Sequence, residues 1–155
     1  MNNIENSFST HQSPSKEKME LIMRMARDGA WDSVLVEVEN LLIDFPNSPF
    51  LHGMKGDAHF QSKNLEDAIE SYKEVIKIDP NWAEAWNKRA TVFYMIGEFE
   101  KSQKDIDQVL KLEKRHFGAL AGQGLVNIKL KNYEKAIQSY KNAMEIYPSM
   151  HSPKI

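Results

Sequence analysis

The chain has no cysteine among its 155 residues. That removes disulfides, thiolate metal sites and cysteine nucleophiles together, and says nothing of compartment. An excess of either charge is missing too: 20 basic against 22 acidic side chains leave a formal net charge of −2. Phosphate backbones and anionic membranes draw proteins through surplus lysine and arginine, so neither nucleic acid nor membrane is an expected partner. No apolar run approaches the roughly 18–20 residues that cross a bilayer. The opening stretch MNNIENSFSTHQSPSKE has neither the basic start nor the apolar core of an export signal. A cytoplasmic location is therefore the expectation, a trimmed signal aside. Rich in Asn, Ser and Gln, residues 1–14 read as a disordered tail.

Prolines are few, and their places are informative. Pro46 and Pro80 stand 34 residues apart, and Pro148 follows at twice that interval. A fixed period of this size is the mark of a repeat architecture. It divides the chain into residues 15–48, 49–82, 83–116 and 117–150, with a short tail at 149–155. Equivalent places agree. The eighth position holds Ile22, Gly56, Ala90 and Gly124; the seventeenth Trp31, Leu65, Phe99 and Tyr133; the twenty-fourth Val38, Tyr72, Ile106 and Tyr140. Positions 17, 20, 24, 27 and 28 fall at helical spacing, and in the first half Trp86, Ala90, Phe93 and Tyr94 share one face. Lys63-Asn64, Gly97-Glu98 and Lys131-Asn132 mark tight turns between the halves. Asp79-Pro80-Asn81 ends one unit, with Asn81 the expected cap of the next helix. VLVEVE alternates like a strand, yet Trp31, Val34, Val38, Leu41 and Phe45 keep helical spacing. Each unit reads as a helical hairpin that needs neighbours to bury its apolar face.

This pattern resembles the tetratricopeptide repeat across roughly Ser15 to Pro148, and the stretches AEAWNKRA and RHFGALAGQGL are similar to proteobacterial members of that family. Gly124, Ala136, Tyr140, Ala143 and Pro148 match its signature in the fourth unit; Gly56, Ala68, Tyr72 and Pro80 match in the second. The first unit departs most, with Lys18 and Ile22 in place of Trp and Gly. The resemblance implies an all-α, right-handed solenoid of four hairpins, acting as a non-catalytic scaffold for a protein or peptide. It also implies a concave groove lined by Phe50, Met54, Asp57 and Phe60, by Asn87, Lys88, Thr91, Tyr94 and Met95, and by Leu125 and Ile128, with Gly118 and Gly122 beside them. One class of the family grips the carboxylate-ended tails of heat-shock chaperones through Lys, Asn and Arg at set positions. Here those positions hold Met19, Met23, Met54, Glu84 and Lys88, or, one unit on, Gly53, Asp57, Lys88, Gly118 and Gly122. A chaperone tail is not an expected partner. With only Ser149 to Ile155 after Pro148, Ala136, Tyr140, Ala143 and Met144 are expected to face outward and to let two copies associate.

His52 and His59 are seven apart, two helical turns, too far to share one ion, and occupy packing positions. His116 sits in an interhelical loop beside the cluster Lys111, Lys114 and Arg115, where cations suit a helix end. Gly118, Gly122 and Gly124 lack the preceding strand of a phosphate loop. No nucleophile–base pair, paired catalytic carboxylates or cofactor motif is present, so neither enzyme, metal nor cofactor is expected. A metal- or nucleotide-dependent enzyme is the contrasting alternative.

Overall fold

The structure is a computed structural model and describes residues 13–147. Residues 1–12, Pro148 and the closing segment 149–155, with the expectations attached to them, lie outside the described residues. Eight helices form within that span: α1 (Lys16–Arg27), α2 (Trp31–Asp44), α3 (Pro49–Gln61), α4 (Leu65–Ile78), α5 (Ala83–Met95), α6 (Phe99–Leu112), α7 (Phe117–Lys129) and α8 (Tyr133–Ile146). Consecutive helices pair as hairpins, and the chain divides after Pro80 into two compact units of two hairpins each. The second helices begin at Trp31, Leu65, Phe99 and Tyr133, each 34 residues beyond the last. VLVEVE is helical, because that conformation buries Val34 and Val38 completely.

Helix starts follow from local chemistry. Ser15 Oγ accepts from the Lys18 N–H, and Ser48 Oγ from the Leu51 N–H, with Pro49 in the first turn of α3. Asn81 does not cap α5: the residue at the N-cap is Trp82, and no side chain caps the helix. The turns inside the hairpins share one device. Gly29, Lys63, Gly97 and Lys131, again 34 apart, adopt φ of 74°, 65°, 85° and 59°. The next residue's N–H then reaches back to a carbonyl five residues earlier, as Asn64 does to His59 at 2.8 Å and Asn132 to Asn127 at 2.8 Å. This is the Schellman closure, which needs a left-handed residue. Glycine adopts it freely, whereas lysine gives up roughly 1–2 kcal/mol.

Each hairpin is sealed where its helices approach most closely. A Cβ added at Gly56 would lie 2.5 Å from Tyr72 Cε1, and one at Gly124 would lie 2.6 Å from Tyr140 Cζ. Glycine is therefore obligatory under these rings. Hairpin α5/α6 places Ala90 and Ile106 at the same register, both buried in the second unit's core with Val109, Ala119 and Val126. Hairpin α1/α2 places Ile22 and Val38 there, in the first unit's core with Leu51 and Ala58. In the last three hairpins a large residue thus pairs with a small one, which keeps the filled volume there near constant, while α1/α2 pairs two branched aliphatic side chains.

Candidate functional site

In the second unit, α5 and α7 bring two stripes together over α6. Asn87, Thr91 and Tyr94 recur at i, i+4 and i+7 on α5, and Gly118, Gly122 and Leu125 do so on α7. Together they line a groove of about 70 Å³, floored by Ala90, Ile106 and Val126, with Ser102 at one side. Space exists because α7 carries glycines here. A Cβ at Gly118 would press on His116 and Asn87 at 3.2 and 3.3 Å. Tyr94 is held by the ring of Phe99, centroids 5.6 Å apart. Thr91 Oγ1 donates to the Asn87 carbonyl, leaving its methyl for the groove. Leu125, Met95 and Ile128 are exposed. Four of the residues expected in a groove, Asn87, Thr91, Tyr94 and Leu125, meet in this cavity. Met95, Ile128 and Lys88 do not line it.

Expectation and structure part company in the first unit. Phe50 and Met54 are half-buried against the core around Leu51 and Ala58, and the Tyr72 hydroxyl donates to Asp57 at 2.6 Å. Phe60 is half-buried. Three of these four side chains are already engaged in holding their own unit.

His116 does more than occupy a loop. Its Nδ1 accepts from the Ala119 N–H at 3.0 Å, capping α7. A ring nitrogen that accepts carries no proton, so the proton is on Nε2, which donates to Glu84 at 3.2 Å. This ties the start of α7 to the start of α5 beside Gly118.

The polar tie inside α5/α6 was not read from the sequence. Arg89 Nε and Nη2 donate to the two oxygens of Asp105, both at 2.8 Å, with the guanidinium 5.2 Å from the Trp86 ring centroid and 5.5 Å from that of Phe93. Burial raises the Asp105 carboxyl above the usual carboxylate range, opposed in part by the Arg89 hydrogen bonds and charge. Hairpin α7/α8 has Gln123 and Ser139 at those places, and Ser139 Oγ donates to Gln123 Oε1 at 2.8 Å. Asn127 Nδ2 bonds Gln103 Oε1, also at 2.8 Å, joining α7 to α6. Among the described residues no group of three His, Asp or Glu side chains could hold a metal ion, and no helix is long and apolar enough to cross a membrane.

The outward face of α8 differs from the expected one. Ala136 and Ala143 are each only 3% exposed, and Tyr140 lies over Gly124. The reason is register: these positions face the first helix of their own hairpin. Met144 is half-buried. The exposed apolar side chains of α8 are Tyr133 and Ile137, at 58% and 55%. Their equivalents Trp31, Leu65 and Phe99, and Leu35 and Ile69, are half-buried.

Known proteins place this geometry. A TPR repeat profile matches residues 56–97 and a tetratricopeptide repeat profile residues 87–151. A TPR repeat-containing protein of Rhizobium etli is 34% identical over 93 residues, 60% of this chain and 46% of that protein. Hsp70-Hsp90 organizing protein 3 of Arabidopsis thaliana is 26% identical over 64% of this chain and 17% of its own length. The chain thus spans less than half of either relative. Among solved structures, a crystal structure of MamA superposes with a TM-score of 0.76 at 24% identity, covering 81% of this chain and 73% of that one. The TPR domain of Arabidopsis OM64 gives 0.64 at 23%, over 65% and 84%. Those likenesses show the fold, and with the two profiles together spanning residues 56–151, the chain belongs to the tetratricopeptide-repeat family.

Proposed function

We propose that the chain is a non-catalytic protein-interaction scaffold, with its four 34-residue repeats as building units, and that the α5–α7 groove holds a peptide segment of a partner protein. The observation that carries this is the groove itself: an apolar cavity framed by Tyr94 and Leu125, with exposed Met95 and Ile128 beyond its lining. Contiguous exposed apolar surface marks interaction sites, and methionine adapts to varied partners. The likeness to chaperone-organizing proteins does not bring a chaperone tail as ligand, since Gly53, Asp57, Gly118 and Gly122 stand where the grip needs amide and cationic side chains. A pull-down with the intact chain, repeated with Tyr94→Ala/Leu125→Asp, tests the reading. Capture is expected to fail in the variant and also in Leu125→Asp alone, an exposed position at which melting is retained, and binding is expected to vary little with salt. Capture unchanged by the double substitution would count against it.

Self-association is a second reading, favoured by the exposure of Tyr133 and Ile137 on α8. Sedimentation of the parent and of Ile137→Glu over a concentration range decides it: a concentration-dependent dimer in the parent alone supports the reading.

A further inference from the structure

The first unit holds a second cleft, of about 330 Å³, on helices that the groove does not use. His52, Lys55 and His59 share one face of α3, at i, i+3 and i+7, and Glu39 of α2 joins Asp67 and Glu70 of α4 around them. Three carboxylates stand there against one lysine. Among the described residues Glu39, Asp67 and Lys55 make no ion pair, and Glu70 has only a 3.9 Å contact to exposed Lys73. His59 is 9% exposed and its Nδ1 has no hydrogen-bond partner. Buried polar atoms in folded proteins are nearly always matched, so this nitrogen is free to bond a group brought into the cleft.

The repeat shows what such a place accommodates. Thirty-four residues on from His52, Lys55, His59 and Ser71 are Trp86, Arg89, Phe93 and Asp105. There the Arg89 guanidinium lies near both rings and is held by the carboxylate. In α3/α4 the two ring-bearing positions remain, but the guanidinium between them is replaced by an ammonium and its carboxylate by a hydroxyl. The surrounding charges are reversed as well: Glu39, Asp67 and Glu70 are the register equivalents of Lys73, Lys101 and Lys104. Hairpin α5/α6 supplies its own cation and carries Lys101 and Lys104; hairpin α3/α4 keeps ring-bearing residues at the equivalent places and has Asp67 and Glu70 where those lysines stand.

We propose that the α2–α3–α4 cleft is a binding site for a guanidinium group from outside the chain, either a free guanidinium compound or an arginine side chain of a partner. Three carboxylates favour a cation. The flat imidazoles of His52 and His59 and the spread carboxylate acceptors favour a planar, weakly hydrated guanidinium over a compact ammonium. Lys55, on a flexible stem, is the group it displaces.

NMR titration of the full chain tests this with methylguanidinium, with acetyl-Gly-Arg-Gly-amide, and with the same peptide carrying uncharged citrulline. Saturable shifts at the amides of His52, His59 and Ser71 are expected for the first two probes, with citrulline binding at least about tenfold more weakly. Equal affinity for the two cationic probes assigns a free compound; tighter binding of the arginine peptide assigns a partner side chain. Lys55→Arg sets the chain's own guanidinium at the register of Arg89, with Ser71 where the carboxylate would be, and is expected to abolish binding. Should that variant not fold, Asp67→Asn/Glu70→Gln, at exposed positions, is expected to lose binding with melting unchanged. Citrulline binding as tightly as arginine, no saturable shift with either cation, or full affinity in a folded variant overturns the proposal.

Discussion

Hairpins α5/α6 and α7/α8 close at the same register with different chemistry. One sets Ala90 beside Ile106 and joins its helices through the Arg89–Asp105 ion pair; the other sets Gly124 under Tyr140 and joins them through Gln123 and Ser139. The seam holds one small and one larger side chain in each, and one polar tie in each. What the repeat conserves is therefore the sum of volumes and the pairing of positions, while the identities are free to exchange. A charged tie is the more demanding of the two, because Asp105 is nearly buried and depends on a single partner.

That dependence makes Arg89→Ala the largest expected effect. Removing one partner of a buried pair leaves a charge without compensation, a loss of about 3–5 kcal/mol, read by denaturant unfolding. Arg89→Gln/Asp105→Ser, which copies α7/α8, is expected to recover most of it. A double variant as unstable as the single one would show that the ties are not interchangeable. The volume rule predicts a smaller loss for Gly56→Ala, about 1–3 kcal/mol from overpacking against Tyr72. Gly56→Ala/Tyr72→Ile, which copies α5/α6, is expected to regain stability, and simple additivity in that cycle would break the comparison. Smallest is the turn. Lys131→Gly relieves left-handed strain but frees the unfolded chain, a net gain of about 0.5–1 kcal/mol, and Gly97→Lys loses a similar amount; paired thermal melts check both.

Helical spacing and the 34-residue interval made the hairpins legible in the sequence, because every unit repeats the same apolar positions. The residues proposed for the groove on α5 and α7 rest on the family resemblance laid over that register. Three features were not legible. Asp105 is a charged residue buried by a partner sixteen positions away, a pairing visible only once the two helices are laid together. The exposed face of α8 is not the expected set Ala136, Tyr140, Ala143 and Met144, because the apolar content of a position says that it is buried but not by which neighbour; Tyr133 and Ile137 hold that face. His116 looked like a loop residue because an imidazole is an uncommon helix cap.

The left-handed turns also bear on the order of events in folding. Each compact unit contains one hairpin turned by glycine, Gly29 or Gly97, and one turned by lysine, Lys63 or Lys131. Closing a hairpin requires the left-handed residue before any seam contact forms, so the lysine turns add their roughly 1–2 kcal/mol to the early part of the barrier. The glycine hairpin of each unit can close without it and offer a finished face to the other. In this view α1/α2 and α5/α6 are the starting points, one per unit, and the Lys131→Gly variant should show its gain in the refolding rate rather than in the unfolding rate.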